Sequence, residues 1–134
     1  MTVVDASIVV RLLLNRRGDE PLHDRFSQQR HVHAPALIDT EVSSAIRGLL
    51  VSQKPTHQID VARAQQMLDD FGALPLVRYP LQSFQRRVLG LRHNFTAYDA
   101  LYVALAETLR LPLLTDDRTF ATAPGHTARI ETWP

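Results

Sequence analysis

A chain of 134 residues has the length of one domain, enough to bury a single core and too short for two ordinary ones. Hydrophobic residues make up 45% and charged residues 22%, the balance of a folded domain, and no charge block or low-complexity tract argues for a disordered tail. A formal net charge of +1 gives no global grip on nucleic acid, and the lack of cysteine excludes disulfides, thiolate zinc sites and a cysteine nucleophile, in keeping with an expected reducing, cytoplasmic setting.

Val3-Val4 reads as the end of a first strand, and Asp5-Ala6-Ser7 offers capping side chains before a helix that carries Ile8 to Leu14. The first five residues hold no basic region ahead of an apolar stretch, and Asp5 and Arg11 interrupt the only run that could serve as an export signal. No segment approaches the roughly 18 apolar residues of a membrane span, so neither export nor a membrane partner is expected. Gly18 and Pro21 break the first helix, Leu22 to Arg30 predicts a polar helix, and His31 to Ala34 before Pro35 predicts a second strand. Ile38, Val42, Ala45, Ile46, Leu49 and Leu50 keep helical spacing, with Asp39 or Thr40 as the expected N-cap and Glu41 in the first turn.

Pro55 closes that segment, and Val61, Ala64, Met67, Leu68 and Phe71 mark an amphipathic helix that Gly72 ends. Leu76 to Tyr79, between Pro75 and Pro80, predicts a third strand, followed by a helix carrying Leu81, Phe84, Val88 and Leu91. Thr96-Ala97-Tyr98-Asp99 matches a capping box, and the stretch Ala100 to Ala106 behind it is apolar on nearly all sides, as a central helix would be. Pro112 to Thr115 reads as a fourth strand, Asp116 to Phe120 as a turn into a short helix, and Arg129 to Trp133 as a last strand. Strands alternating with helices predict an α/β domain with a parallel sheet, because parallel neighbours require crossover connections.

Asp5, Glu41, Asp99 and Asp117 each sit where an apolar run gives way to a helix start. Taken singly, each is explained as a cap or first-turn acid that complements the helix dipole. Taken together they form a candidate metal site, because the strand ends and helix starts of an open parallel sheet gather at one edge. Carboxylate oxygens suit Mg²⁺ or Mn²⁺, and an open oxygen site leaves room for a phosphate substrate and an activated water, with no covalent nucleophile. Ser7 and Thr115 stand near Asp5 and Asp117, either orienting carboxylates or a phosphate or serving as caps. Asp116 adjoins Asp117, and only one of the two is expected to face the cleft. His31 and His33 on one strand face are too few for a zinc site. Arg16 and Arg17, or Arg86, Arg87 and Arg92 with His93, are candidate phosphate contacts or simply solvated charge.

Val4-Asp5-Ala6-Ser7, Glu41 opening its helix, the run from Thr96 to Glu107 and Leu114-Thr115-Asp116-Asp117 together resemble the PIN-domain VapC toxins of toxin–antitoxin systems. The resemblance covers essentially residues 1–134 as one domain. It implies a PIN-domain fold, a five-stranded parallel sheet flanked by helices on both faces. It also implies an Mg²⁺- or Mn²⁺-dependent endoribonuclease acting on an RNA substrate, a homodimer and a VapB-type antitoxin that blocks the site. By the same resemblance Asp5, Glu41, Asp99 and Asp117 form the acidic quartet. Asp117 is preferred to Asp116 because it ends the Thr-x-Asp pattern that begins at Thr115.

Two other readings compete. A receiver-type phosphoacceptor module would need an Asp ending a central strand and a late lysine, but the third strand ends at Tyr79-Pro80 and the only lysine is Lys54. A PIN-like module that merely binds RNA or a protein partner would be expected to have lost acids, and all four are present.

Overall fold

The structure, a computed structural model, describes residues 1–134. Five short strands, β1 (Thr2–Val4), β2 (Val32–Pro35), β3 (Leu76–Tyr79), β4 (Leu113–Thr115) and β5 (Ile130–Thr132), form one sheet. All neighbours are parallel, in the order β3-β2-β1-β4-β5. Helices supply the crossovers. α1 (Ala6–Leu14) and α2 (Glu20–Ser27) join β1 to β2, α3 (Ile38–Leu50) and α4 (Val61–Gly72) join β2 to β3, and α5 (Gln85–Gly90) and α6 (Ala97–Leu109) carry the chain back past β1 to β4. The four-residue α7 (Thr119–Thr122) precedes β5.

Crossovers between parallel strands are right-handed, so the reversal of direction after β3 places α1, α3 and α4 on one face of the sheet and α6 on the other. α1 packs on α3 and α4, and α6 lies against β1, β2 and β4. The expected five-stranded parallel sheet with helices on both faces is what forms. The reversal makes the gap between the carboxyl ends of β1 and β4 the topological switch point, where an open α/β sheet leaves a crevice.

Local sequence explains the two helices that frame this crevice. Asp5 holds an extended conformation and its side chain accepts the Ile8 N–H, which starts α1 immediately after β1; Ile8, Val9, Leu12 and Leu13 then face the core. Thr96 does the same for α6 by accepting the Asp99 N–H, and Ala100 to Ala106 are all buried, as a helix without a polar face must be.

Several boundaries differ from the sequence expectations. Pro21 sits in the first turn of α2 rather than beyond a helix end, because its fixed φ and missing N–H are tolerated there, and α2 stops at Ser27. β2 begins at Val32, so His31 lies outside it and shares no strand face with His33. Neither Asp39 nor Thr40 caps α3. The turn closes earlier, through bonds from the Asp39 N–H to the Ala36 carbonyl and the Thr40 N–H to the Leu37 carbonyl, so both residues are already helical. Asp39 is used instead by Arg78, whose Nε lies 2.9 Å from each carboxylate oxygen. The helix expected through Leu81 and Leu91 is divided into a 3₁₀ turn, Gln82–Phe84, and α5.

Candidate active site

Asp5 leaves the end of β1, Glu41 stands in the first turn of α3, Asp99 in the first turn of α6, and Asp117 in the turn after β4. All four line one open cleft of about 470 Å³ at the switch point, with Ser7, Tyr102, Asp116 and Phe120 beside them.

Asp5 is the most confined of the acids, at 7% exposure. Its Oδ1 accepts the Ser7 hydroxyl at 2.5 Å and the Ile8 N–H at 3.2 Å, and its Oδ2 accepts the Thr115 hydroxyl. Asp5 is therefore a helix cap and a cleft acid at once. Burial pushes its pKa up to about 6 although Ser7, Thr115 and Ile8 pull it down, and the Asp116 charge adds to the rise. Thr115 Oγ1 also accepts the Asp117 N–H at 3.0 Å, which ties the turn after β4 to the end of β1. The hydroxyls of Ser7 and Thr115 thus both orient a carboxylate.

Asp99 makes only part of the expected capping box. Thr96 Oγ1 accepts the Asp99 N–H at 3.2 Å, but the reciprocal bond from the Thr96 N–H to the Asp99 carboxylate is not made. Burial, and then the charge of Asp117, raise the Asp99 pKa, against a hydrogen bond to the Thr96 side chain. Asp117 Oδ1 accepts the Thr119 N–H at 2.9 Å and its hydroxyl at 2.7 Å, which fixes the acid within the turn.

Asp116 overturns the expectation that only one of the adjacent acids faces the cleft. Both line it, because they follow the last residue of β4 and lie in a turn, where side chains need not alternate. A second residue was missed. Tyr102 is 2% exposed and reads in the sequence as ordinary core, yet its hydroxyl donates to Glu41 Oε1 at 2.6 Å. The available signal was its place three residues after Asp99, on the same side of the helix.

The donors are all oxygen and surround the cleft, and as placed no three His, Asp or Glu side chains stand close enough together to hold a metal ion by themselves, so the fit to an ion rests on the chemistry of the donors. Such a set fits a hard divalent cation that completes its shell with waters and substrate oxygens, and it suits zinc poorly. Burial and the Asp5/Asp116 and Asp99/Asp117 repulsions make the cleft a place where positive charge is welcome.

One member of the basic clusters is committed within the protein. Arg87 is committed to Glu107 through two bonds of 2.8 Å and to the Gly125 carbonyl, which withdraws it from phosphate contact. Arg16, Arg17, Arg86, Arg92 and His93 are exposed. His33 is buried with a ring nitrogen 2.8 Å from the Tyr79 hydroxyl, and burial lowers its pKa, so it is a neutral structural residue.

Known proteins resemble this chain in sequence and in fold. The PIN domain family model matches residues 2–125. Ribonuclease VapC12 of Mycobacterium tuberculosis is 40% identical over 131 residues, covering 98% of each chain. Ribonuclease VapC1 of the same organism is 38% identical over 130 residues, covering 96% of this chain and 95% of the other. Among solved structures, a toxin–antitoxin complex from Klebsiella pneumoniae superposes with a TM-score of 0.68 at 20% identity, over 98% of this chain and 97% of that one. VapBC2 from Rickettsia felis, bound to a DNA fragment from its promoter, gives 0.67 at 16% identity, over 99% and 98%. At such identities the structural likeness speaks for the fold alone.

Proposed function

The chain belongs to the PIN-domain family and, within it, to the VapC ribonucleases, and from that membership together with the cleft we propose that it is the metal-dependent endoribonuclease toxin of a toxin–antitoxin pair. The observation that carries the reading is the convergence of Asp5, Glu41, Asp99 and Asp117, from four separated segments, on one cleft at the β1/β4 switch point.

In this reading Asp5, Glu41, Asp99 and Asp117 hold Mg²⁺ or Mn²⁺. The chemistry supplied by the bound ion is activation of a water for attack at phosphorus and neutralisation of charge on the leaving oxygen. The chain's own groups do the positioning. Ser7 and Thr115 hold the Asp5 carboxylate by both oxygens, so its orientation is fixed before substrate arrives. Thr119 holds Asp117 by one oxygen, Oδ1, through both its N–H and its hydroxyl. The dispersed arrangement leaves space for a phosphodiester to enter between the acids.

Two partners complete the reading. A homodimer and a VapB-type antitoxin need apolar surface outside the cleft, and two such surfaces exist. One is the groove of Leu81, Val88, Leu89 and Leu101; the other lies between α3 and α4 at Ile46, Leu50, Val61 and Leu68. A basic antitoxin side chain aimed at the cleft would block it by taking the cation's place. Light scattering across micromolar concentrations tests the dimer, and a monomer throughout would refute it.

The activity is tested by incubating the protein with total RNA and a pool of structured RNAs in Mg²⁺, Mn²⁺ or excess chelator, beside Asp99→Asn. Discrete fragments with either metal, none in chelator and none with the variant are expected. Undiminished cleavage in chelator would overturn the metal dependence.

A further inference from the structure

The four acids are not held alike. Asp5 accepts three hydrogen bonds and Asp117 two, whereas the carboxylate of Glu41 has a single partner, the Tyr102 hydroxyl at 2.6 Å. Glutamate has the longer, freer side chain, and fixing it costs rotamer entropy that its neighbours must supply. Tyr102 is suited to that task. Its ring is clamped in the core at 2% exposure, so its hydroxyl is presented on a rigid arm. It also follows Asp99 by three residues on α6, so this one helix carries Asp99 directly and grips Glu41 of α3 through the phenol. Burying a hydroxyl is unfavourable unless it is paired, and Glu41 is the only side-chain partner this one has.

We infer that Tyr102 is a positioning residue of the reaction, acting through Glu41 to set its distance from Asp99 across the cleft. The inference rests on the ribonuclease reading above and adds to it a residue that acts through Glu41. The bond engages Oε1 and leaves Oε2 without a hydrogen-bond partner, on a residue that lines the cleft.

The test is a double-mutant cycle of Tyr102→Phe and Glu41→Gln. Each variant is measured for RNA cleavage and, separately, for Mn²⁺ binding without RNA, followed by the resonance of the free ion. Phenylalanine keeps the ring and the packing, and matching melting curves confirm that the fold is kept. Tyr102→Phe should lower kcat about tenfold and weaken Mn²⁺ binding, the usual effect of losing a group that orients a ligand, with KM for RNA little changed. In the Glu41→Gln background the same change should add less than about twofold, because the carboxylate it positions is gone. Unchanged kcat and Mn²⁺ affinity in Tyr102→Phe would overturn the inference, as would an equal loss in both backgrounds, which would mean that Tyr102 acts on the fold at large. If the parent cuts no RNA, the ribonuclease reading fails while the Mn²⁺ cycle still decides the role of Tyr102. A parent that neither cuts nor binds Mn²⁺ overturns both.

Discussion

Replacing Asp5 with Asn removes the most confined charge in the cleft while nearly preserving its shape. Burial, opposed by the bonds from Ser7, Thr115 and Ile8, raises the Asp5 pKa from 3.8 to about 6. At about 1.36 kcal/mol for each tenfold change in proton affinity, the ionised form costs the folded state about 3 kcal/mol. The folded value lies above the unfolded one, so the folded state binds the proton more tightly. This contribution to stability is therefore full below about pH 4 and is lost as the pH rises through 6. The Asn side chain can still accept the Ile8 N–H, but its amide arm cannot accept a hydroxyl, and one lost bond costs about 1 kcal/mol. The net expectation at pH 7.5 in chelator is a variant about 2 kcal/mol more stable than the parent, or roughly 6–8 °C in Tm for a domain of this size. At pH 4 the advantage should vanish, and at pH 7.5 Mg²⁺ should stabilise the parent more than the variant. Thermal melts by circular dichroism at the two pH values, with and without Mg²⁺, provide the measurement. A variant less stable than the parent at pH 7.5 in chelator, or a difference that ignores pH, would refute the reasoning.

Asp99→Ala should likewise melt at or above the parent in chelator, because the cap bond of α6 comes from the Asp99 backbone and survives the change, while burial strain and the Asp117 repulsion are relieved. A clearly lower melting temperature with an unchanged Mg²⁺ increment would return Asp99 to a purely structural role. Asp116→Ala should keep much more cleavage activity than Asp117→Ala and should lower the Asp5 pKa, readable by carboxyl-carbon NMR titration; the opposite order of activities would reassign the last acid. Glu107 is held at about 2, below its ordinary 4.5, chiefly by its hydrogen bonds with Arg87, so its contribution is full above pH 4.5 and is lost as the pH falls towards 2. Arg87→Met should lower stability at neutral pH and flatten the acid limb between pH 4.5 and 2, as followed by acid denaturation; an unchanged limb would mean that the pair contributes nothing.

The sequence made the frame legible because the frame is written in periodicity. The step from Val4 to Asp5 to Ile8, and the unbroken apolar run behind Thr96, specify a strand end, a cap and a central helix by their pattern alone, and the acids follow from those positions. What stayed hidden depends on direction in space rather than on pattern. Tyr102 sits among core residues and scores as one, since nothing in a hydrophobic run reveals that a single hydroxyl meets Glu41 from another helix. Asp116 yields to Asp117 through the Thr-x-Asp resemblance and the expectation that neighbours point apart, yet in the turn after Thr115 both line the cleft. Asp39 has the composition of a cap, but a turn formed one step earlier released it to Arg78. Arg87 looked free for phosphate because Glu107, its partner, lies twenty residues away.

If the cleft acids direct a water to phosphorus, as proposed, the ends of the RNA fragments reveal it, since attack by water and attack by the ribose 2′-hydroxyl leave different phosphates. Fragments should end in an open phosphate monoester, and a substrate whose nucleotide at the cut carries a 2′-deoxyribose should still be cleaved. A 2′,3′-cyclic phosphate, with cleavage abolished by that single 2′-deoxy substitution, would contradict it.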